Sequence, residues 1–137
     1  MKWIICFCDS KNIGLWKLFT KYRVGFTHVY AVNYDPELDI WKKVEITTNG
    51  FDFQTLKGEK ATELVLNMHM CNTCVEIDVK DHPIYIPRLF YCVSFIKHLC
   101  NVRKFWIWTP YQLYCELLKR KGSIIFDAKD LLETSHG

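Results

Sequence analysis

The chain has 137 residues, of which 50% are hydrophobic and 15% aromatic, and its formal net charge is +3. This composition excludes a disordered chain, which would be poor in apolar residues, and fits a single domain over residues 1–137. The charge does not predict nucleic-acid binding, because the one tight basic cluster, Lys119-Arg120-Lys121, falls at the end of a predicted helix, where the helix dipole favours cations. The apolar run from Trp3 to Cys8 is too short for a signal peptide or a membrane span.

The first half of the chain predicts four strands and one helix. Short apolar or β-branched runs indicate strands at residues 2–8, 26–34, 40–48 and 51–56. Asn49-Gly50, between the last two runs, is the strongest hairpin signal in the sequence. Apolar residues at helical spacing predict a helix near residues 11–22.

The second half predicts a further strand and two helices. The stretch 61–70 fits a helix or a strand, whereas residues 75–79 alternate as a half-buried strand does. Apolar residues recur at intervals of three and four through residues 89–101, which predicts a helix with a buried stripe. Thr109, Pro110 and Gln112 form a capping box that starts another helix, Gly122 ends it, and the tail 123–137 is a short strand or helix. The fold class is therefore α+β, an antiparallel sheet with helices packed on one face.

Three residues on different elements suggest nucleophilic chemistry. Cys92 lies near the start of a predicted helix, where the helix dipole favours a thiolate. His28 lies within an apolar strand and could act as its base, and Glu45 on the neighbouring strand could hold the imidazole in one tautomer. Asn33 or Asp35 could replace Glu45 as the third residue. Backbone amides at the start of the helix would supply oxyanion donors. The competing interpretation is a core cysteine and a hydrogen-bonded strand histidine.

Four segments, in this order, resemble the circularly permuted papain-like cysteine peptidases, a group that includes NlpC-like enzymes and the lecithin:retinol acyltransferase relatives. Residues 26–32 (FTHVYAV) resemble the histidine strand of that family, and residues 44–50 (VEITTNG) resemble its following glutamate strand. Residues 90–96 (FYCVSFI) resemble the nucleophile helix, and residues 109–113 (TPYQL) resemble the helix start that comes after it. The order of histidine before cysteine is the one that permutation implies.

The resemblance implies a thiol-dependent peptidase or amidase with Cys92 as nucleophile, His28 as general base and acid, and Glu45 as orienting residue. Its substrate would be a peptide or peptidoglycan-like amide, cleaved through a thioester without a cofactor or metal. Such a small domain would fit a bacterial or bacteriophage enzyme, located in the cytoplasm or in a virion. The alternative is a catalytically inactive binding or structural subunit of a larger particle, for example of a phage, on the same fold.

Other cysteines and aromatic residues have weaker functional interpretations. Cys71 and Cys74 form a Cys-x-x-Cys that could supply half of a zinc site, with Cys6 and Cys8 as the other half, although a plain turn is the favoured interpretation. His69 belongs to the same segment. The run Phe105-Trp106-Ile107-Trp108 is expected to pack inward and seal the core. Cys100 and Cys115 are expected in helix cores, and the histidines at 82, 98 and 136 at the periphery.

Overall fold

A computed structural model describes residues 1–9, 25–47, 50–71, 73–83 and 91–127 of the chain. The strands are β1 (Lys2–Cys8), β2 (His28–Asp35), β3 (Ile40–Thr47), β4 (Gly50–Leu56), β5 (Thr73–Asp78) and β6 (Ser123–Asp127). The helices are α1 (Glu59–His69), α2 (Cys92–Leu99) and α3 (Pro110–Lys119). The predicted helix at 11–22 and Asn49 of the predicted hairpin lie outside the described residues.

The described strands form one sheet in the order β4-β3-β2-β1-β5-β6. Every neighbouring pair is antiparallel. The first strand of the chain therefore lies near the middle of the sheet, between β2 and β5. Cys6 illustrates this position, because it pairs with Tyr30 on one side and with Cys74 on the other.

Side chains alternate between two cores, one on each face of the sheet. One core joins Ile5, Phe7, Val29, Ala31 and Val75 of the strands to apolar side chains of α2 and α3. The other joins alternate strand residues, including Cys6, Tyr30 and Val32, to Leu64 and Met68 of α1. The antiparallel α+β class is confirmed. The expectation that the helices pack on one face holds for α2 and α3 but is wrong for α1, which covers the opposite face.

Local capping explains where α3 begins. Thr109 Oγ1 accepts a hydrogen bond of 3.2 Å from the Gln112 amide, and Gln112 Oε1 accepts one of 3.1 Å from the Thr109 amide. This is the reciprocal arrangement that the sequence predicts. Gly122 lies just beyond the end of this helix, where its amide donates a hydrogen bond of 2.8 Å to the Leu117 carbonyl.

The remaining helices differ from their predictions in extent. The ambiguous stretch 61–70 is the greater part of helix α1. Helix α2 begins at Cys92 rather than at 89, and residues 84–90 lie outside the described part of the chain. None of the helices in that part is both long and apolar enough to cross a bilayer.

Candidate active site

The His28 ring and the Glu45 carboxylate form a close pair between neighbouring strands. His28 Nε2 lies 2.7 Å from Glu45 Oε1, and both side chains are largely buried, with 16% and 18% of their surface exposed. His28 is the first residue of β2, and Glu45 lies on β3, which pairs with β2 from Ala31–Val44 to Asp35–Ile40. Because Nε2 is engaged by the carboxylate, Nδ1 is the ring nitrogen left for a second partner.

Lys43 completes the surroundings of the carboxylate. Its Nζ lies 3.1 Å from Glu45 Oε2 and 4.7 Å from the centre of the Tyr30 ring. Hydrogen bonding to His28, and then the charge of Lys43, lower the pKa of Glu45 despite its burial. Lys43 was not predicted as a site residue, although its position two residues before Glu45 on a strand places both side chains on one face.

Cys92 lies at the first position of α2, with 6% of its surface exposed. Interaction with the thiol is the largest of the contributions that raise the pKa of the His28 ring. The helix that carries Cys92 packs over β2 and β3 through the core that includes Val93 and Ile96. The structure therefore places His28 and Glu45 in direct contact, and Cys92 at the start of the helix that packs over the same two strands.

The two partners of His28 change its protonation. Burial alone would lower the pKa of the ring, but its interactions with Cys92 and then with Glu45 raise it to about 9. An imidazole with that pKa is protonated at neutral pH.

The alternatives for the third residue are engaged elsewhere. Asn33 Nδ2 donates to the Lys2 carbonyl at 2.7 Å. Asp35 Oδ1 accepts from the amides of Glu37 and Leu38 at 3.0 and 3.3 Å, in the turn at the far end of β2 from His28. Glu45 is thus the one of the three proposed residues that contacts the ring.

The start of α2 presents backbone amides beside the thiol. The first helical hydrogen bond is donated by the Phe95 amide to the Tyr91 carbonyl at 3.0 Å. The amides of Cys92 and Val93 therefore come before the first helical donor, as the first amides of a helix do. Ser94 fixes this end of the helix, because its Oγ accepts from the Tyr91 amide and donates to the Tyr91 carbonyl, both at 2.9 Å. The geometry suits an oxyanion site at the helix terminus.

The cysteines considered for zinc come together, but not as a metal centre. All four cysteines pack in the core that α1 covers, where Cys6 and Cys74 are direct partners across β1 and β5. His69 packs instead on the Phe126 ring, with 4.0 Å between the ring centres. Within the described residues, no group of three or more Cys, His, Asp or Glu side chains is arranged to hold a metal ion. The zinc hypothesis had grouped these four cysteines, but a plain turn was the favoured interpretation, because their convergence depends on the pairing of β1 with β5.

The aromatic run before α3 is largely at the surface. Phe105, Trp106 and Trp108 are 79%, 54% and 54% exposed, whereas Ile107 is 3% exposed. The expectation that this run packs inward is therefore wrong except for Ile107. The backbone is held from both sides, because the Trp108 carbonyl accepts from the Tyr91 hydroxyl at 2.9 Å and its amide donates to Gln112 Oε1 at 2.8 Å.

The remaining predicted residues divide between the core and the surface. Cys100 is 4% exposed, and burial raises its pKa to about 12. Cys115 is only partly buried, so the core prediction holds for Cys100 alone. His82 and His98 are partly exposed, and His136 lies outside the described residues.

Comparison with known proteins identifies no relatives. No protein-family model, curated protein or solved structure matches the chain. The resemblance to permuted papain-like enzymes therefore stays a prediction from four short motifs, and the functional argument depends on the geometry of the site.

Proposed function

We propose that the protein is a cysteine hydrolase or acyltransferase that cleaves an amide bond through a thioester. The observation that carries this proposal is the contact of His28 with Glu45 at 2.7 Å, with Cys92 at the start of the helix that packs over the same strands and its thiol raising the pKa of the ring. The three residues would each have a chemical use, as nucleophile, proton carrier and orienting carboxylate.

The reaction would proceed in two acyl-transfer steps. The Cys92 thiolate attacks the substrate carbonyl, and amides at the start of α2 stabilise the resulting oxyanion. The His28 imidazolium then protonates the leaving amine as the carbon–nitrogen bond breaks, which gives a thioester. Neutral His28 next removes a proton from water or another acceptor, which attacks the thioester and releases the Cys92 thiolate. Glu45 holds the ring in one orientation throughout.

The substrate in this proposal is a peptide or peptidoglycan-like amide. This choice comes from the family resemblance, since the same machinery would serve ester hydrolysis or transfer to another acceptor. A cytoplasmic or virion-associated location belongs to the same proposal. The mechanism uses only side chains and backbone amides of this chain.

The first test is alkylation by iodoacetamide from about pH 5 to 9, read at each cysteine by peptide mass spectrometry. An ordinary thiol is about 0.3% ionised at about pH 6, so rapid labelling there identifies a thiolate stabilised by its surroundings. We expect Cys92 to be labelled at that pH, and His28→Ala to abolish that labelling. Cys115, which is partly buried on α3, serves as the internal reference.

The test rejects catalysis if Cys92 is labelled no faster than Cys115 at every pH. Equal labelling in the wild type and in His28→Ala would also reject the ion pair.

A second candidate is favoured by the exposed aromatic run. Phe105, Trp106 and Trp108 are more than half exposed, as expected of a surface by which a subunit assembles into a particle. Cys92 is only 6% exposed, as expected of a thiol that performs no catalysis. This candidate predicts concentration-dependent self-association that Trp106→Gln reduces, measured by sedimentation velocity. A chain that stays monomeric at all concentrations, with a reactive Cys92, would contradict it.

A further inference from the structure

A cavity of about 310 Å³ opens beside the C-terminal end of α2. Its walls come from the last turn of that helix, from the segment that follows it, and from Pro83. The residues that give the cavity its chemistry are Lys97, His98, Asn101, Arg103, Lys104 and Phe105. Three of these side chains are cationic, and none of the described residues that line the cavity is an aspartate or a glutamate. The cavity therefore presents positive charge without a carboxylate on its wall.

The cations at this end of α2 are not needed to cap the helix. Asn101 has a left-handed backbone, with φ at 57°, and its amide donates to a carbonyl of the last helical turn at 3.2 Å. The Val102 amide donates to the Lys97 carbonyl at 2.7 Å, as in a Schellman motif. The Leu99 carbonyl is paired with the His82 ring at 3.0 Å. Because these carbonyls at the negative end of the helix are already paired, the side-chain charges remain available to a ligand.

The two lysines of the cavity leave positive charge in excess. Lys97 Nζ donates to the Ile107 carbonyl at 2.9 Å, and a carbonyl carries no net charge. Lys104 Nζ lies 2.8 Å from Glu116 Oε1, which also lies 2.9 Å from Arg120 Nε. One carboxylate is therefore shared by two cations, and Lys97 has a neutral partner.

Arg103 and His98 are the members of the cavity that keep hydrogen-bond donors for a ligand. Arg103 Nε donates to Asn101 Oδ1 at 3.1 Å, which orients the guanidinium. Within the described part of the chain, the two terminal nitrogens of Arg103 and the His98 ring have no acceptor. Burial, and then the charges of Lys97, Arg103 and His82, lower the pKa of His98. This is the effect expected of cations that lack a counter-ion.

Phe105 supplies an aromatic surface beside these donors. Its ring is 79% exposed and packs edge to face with Trp106, with 5.3 Å between the ring centres. Exposed aromatic rings next to cationic side chains bind the bases of nucleotides by stacking and their phosphates by charge. An extended nucleic acid would need a series of such positions along a groove, whereas a single cavity of this size suits one small molecule.

We propose that this cavity binds a small molecule that carries a phosphate group close to a planar ring, which is the chemistry of a nucleoside monophosphate. The Arg103 guanidinium would hold two phosphate oxygens, the His98 ring would donate to the phosphate, and the Phe105 ring would stack on the planar group. The site uses neither Cys92 nor His28, so this proposal goes beyond the proposed function and does not depend on it.

The test titrates the full-length protein with adenosine monophosphate and follows the His98 ring by NMR. Inorganic phosphate and adenosine, the two parts of the probe, are titrated separately. A bound phosphate adds negative charge, so the pKa of His98 should rise towards its ordinary value, while the titration of His28 should stay unchanged. We expect adenosine monophosphate to bind at least about five times more tightly than inorganic phosphate, because the base stacks.

Two exposed residues provide variants, whose folding is checked by circular dichroism. Arg103→Gln removes charge-assisted hydrogen bonds and should weaken the binding of both adenosine monophosphate and inorganic phosphate at least about tenfold. Phe105→Ala should weaken adenosine monophosphate about fivefold and leave inorganic phosphate unchanged. Lys119→Gln is the matched control, because it removes the same charge from an exposed position outside the cavity. It should change both affinities by less than about twofold.

Four results would overturn the proposal. The first is a His98 resonance that shows no saturable shift with adenosine monophosphate. The second is equal binding by Arg103→Gln and Lys119→Gln, since the guanidinium would then not hold the phosphate. The third is equal affinity for adenosine monophosphate and inorganic phosphate, since the ring would then not be recognised. The fourth is a single-stranded oligonucleotide that binds far more tightly than the mononucleotide and loses affinity steeply with salt, which would indicate a nucleic-acid surface.

Discussion

Replacement of Glu45 by glutamine separates the carboxylate's effect on His28 from that of the thiol. The rise in the pKa of His28 from 6.5 to about 9 corresponds to about 3 kcal/mol in favour of the charged ring. Cys92 is the largest of the contributions that raise this pKa and Glu45 is the next, and for the carboxylate we take the value of an ordinary hydrogen bond, about 1 kcal/mol. In Glu45→Gln the pKa of His28 should therefore fall by about 1 pH unit and stay above its ordinary value.

The measurement is an NMR titration of the His28 ring in wild type and in Glu45→Gln. Asp52→Asn is the matched control, because Asp52 is the direct partner of Glu45 on β4 and its carboxylate accepts from Gln54 at 2.9 Å. It removes the same charge from the adjoining position without touching the hydrogen bond to His28. The reasoning is refuted if Glu45→Gln leaves the His28 titration unchanged, or if Asp52→Asn lowers it equally.

Three further predictions concern stability, measured by urea unfolding. The pKa of His28 is raised to about 9 in the folded state, so the charged ring stabilises the fold. This stabilisation is fully present below about pH 6.5 and is lost as the pH rises to about 9. In His28→Gln the free energy of unfolding should no longer change with pH in this range. Thr109→Ala removes the capping oxygen of α3 and should cost about 1 kcal/mol; a cost near zero would mean that the cap is not formed. Gly122→Ala would place Cβ 2.6 Å from the Leu117 carbonyl oxygen and 2.7 Å from Val75 Cγ1, so it should cost about 1–3 kcal/mol, and an unchanged midpoint would contradict the packing there.

Local signals made parts of the fold predictable. The capping box at Thr109 and Gln112 depends on residues three apart, so the start of α3 could be predicted without knowledge of the rest of the chain. Helix α1 was ambiguous because Leu66 and Met70, which are 60% and 85% exposed, interrupt the pattern of its buried stripe at Leu64 and Met68. Its placement on the opposite face depends on where the chain crosses the sheet, which residue periodicity does not specify.

The candidate site was more predictable than the convergence of the four cysteines considered for zinc. His28 and Glu45 lie on strands that are consecutive in the chain, and consecutive strands usually pair, so their contact could be anticipated. Cys6 and Cys74 are opposite each other because β1 pairs with a strand far along the chain. No short-range pattern indicates such a pairing, so the contact of these strands could not be predicted, although the cysteine spacings suggested the four residues as candidate zinc ligands.

The central position of β1 has a consequence during synthesis. Among the strands that the structure describes, β1 is synthesised before the others, but its second neighbour, β5, begins only at Thr73. At about 5–20 residues per second, the interval between Cys8 and Thr73 lasts about 3–13 s. Throughout that time one edge of an apolar strand has no partner, which makes it a template for association between nascent chains. We expect soluble yield to depend on how well this edge is shielded on the ribosome more than on the stability of the finished fold.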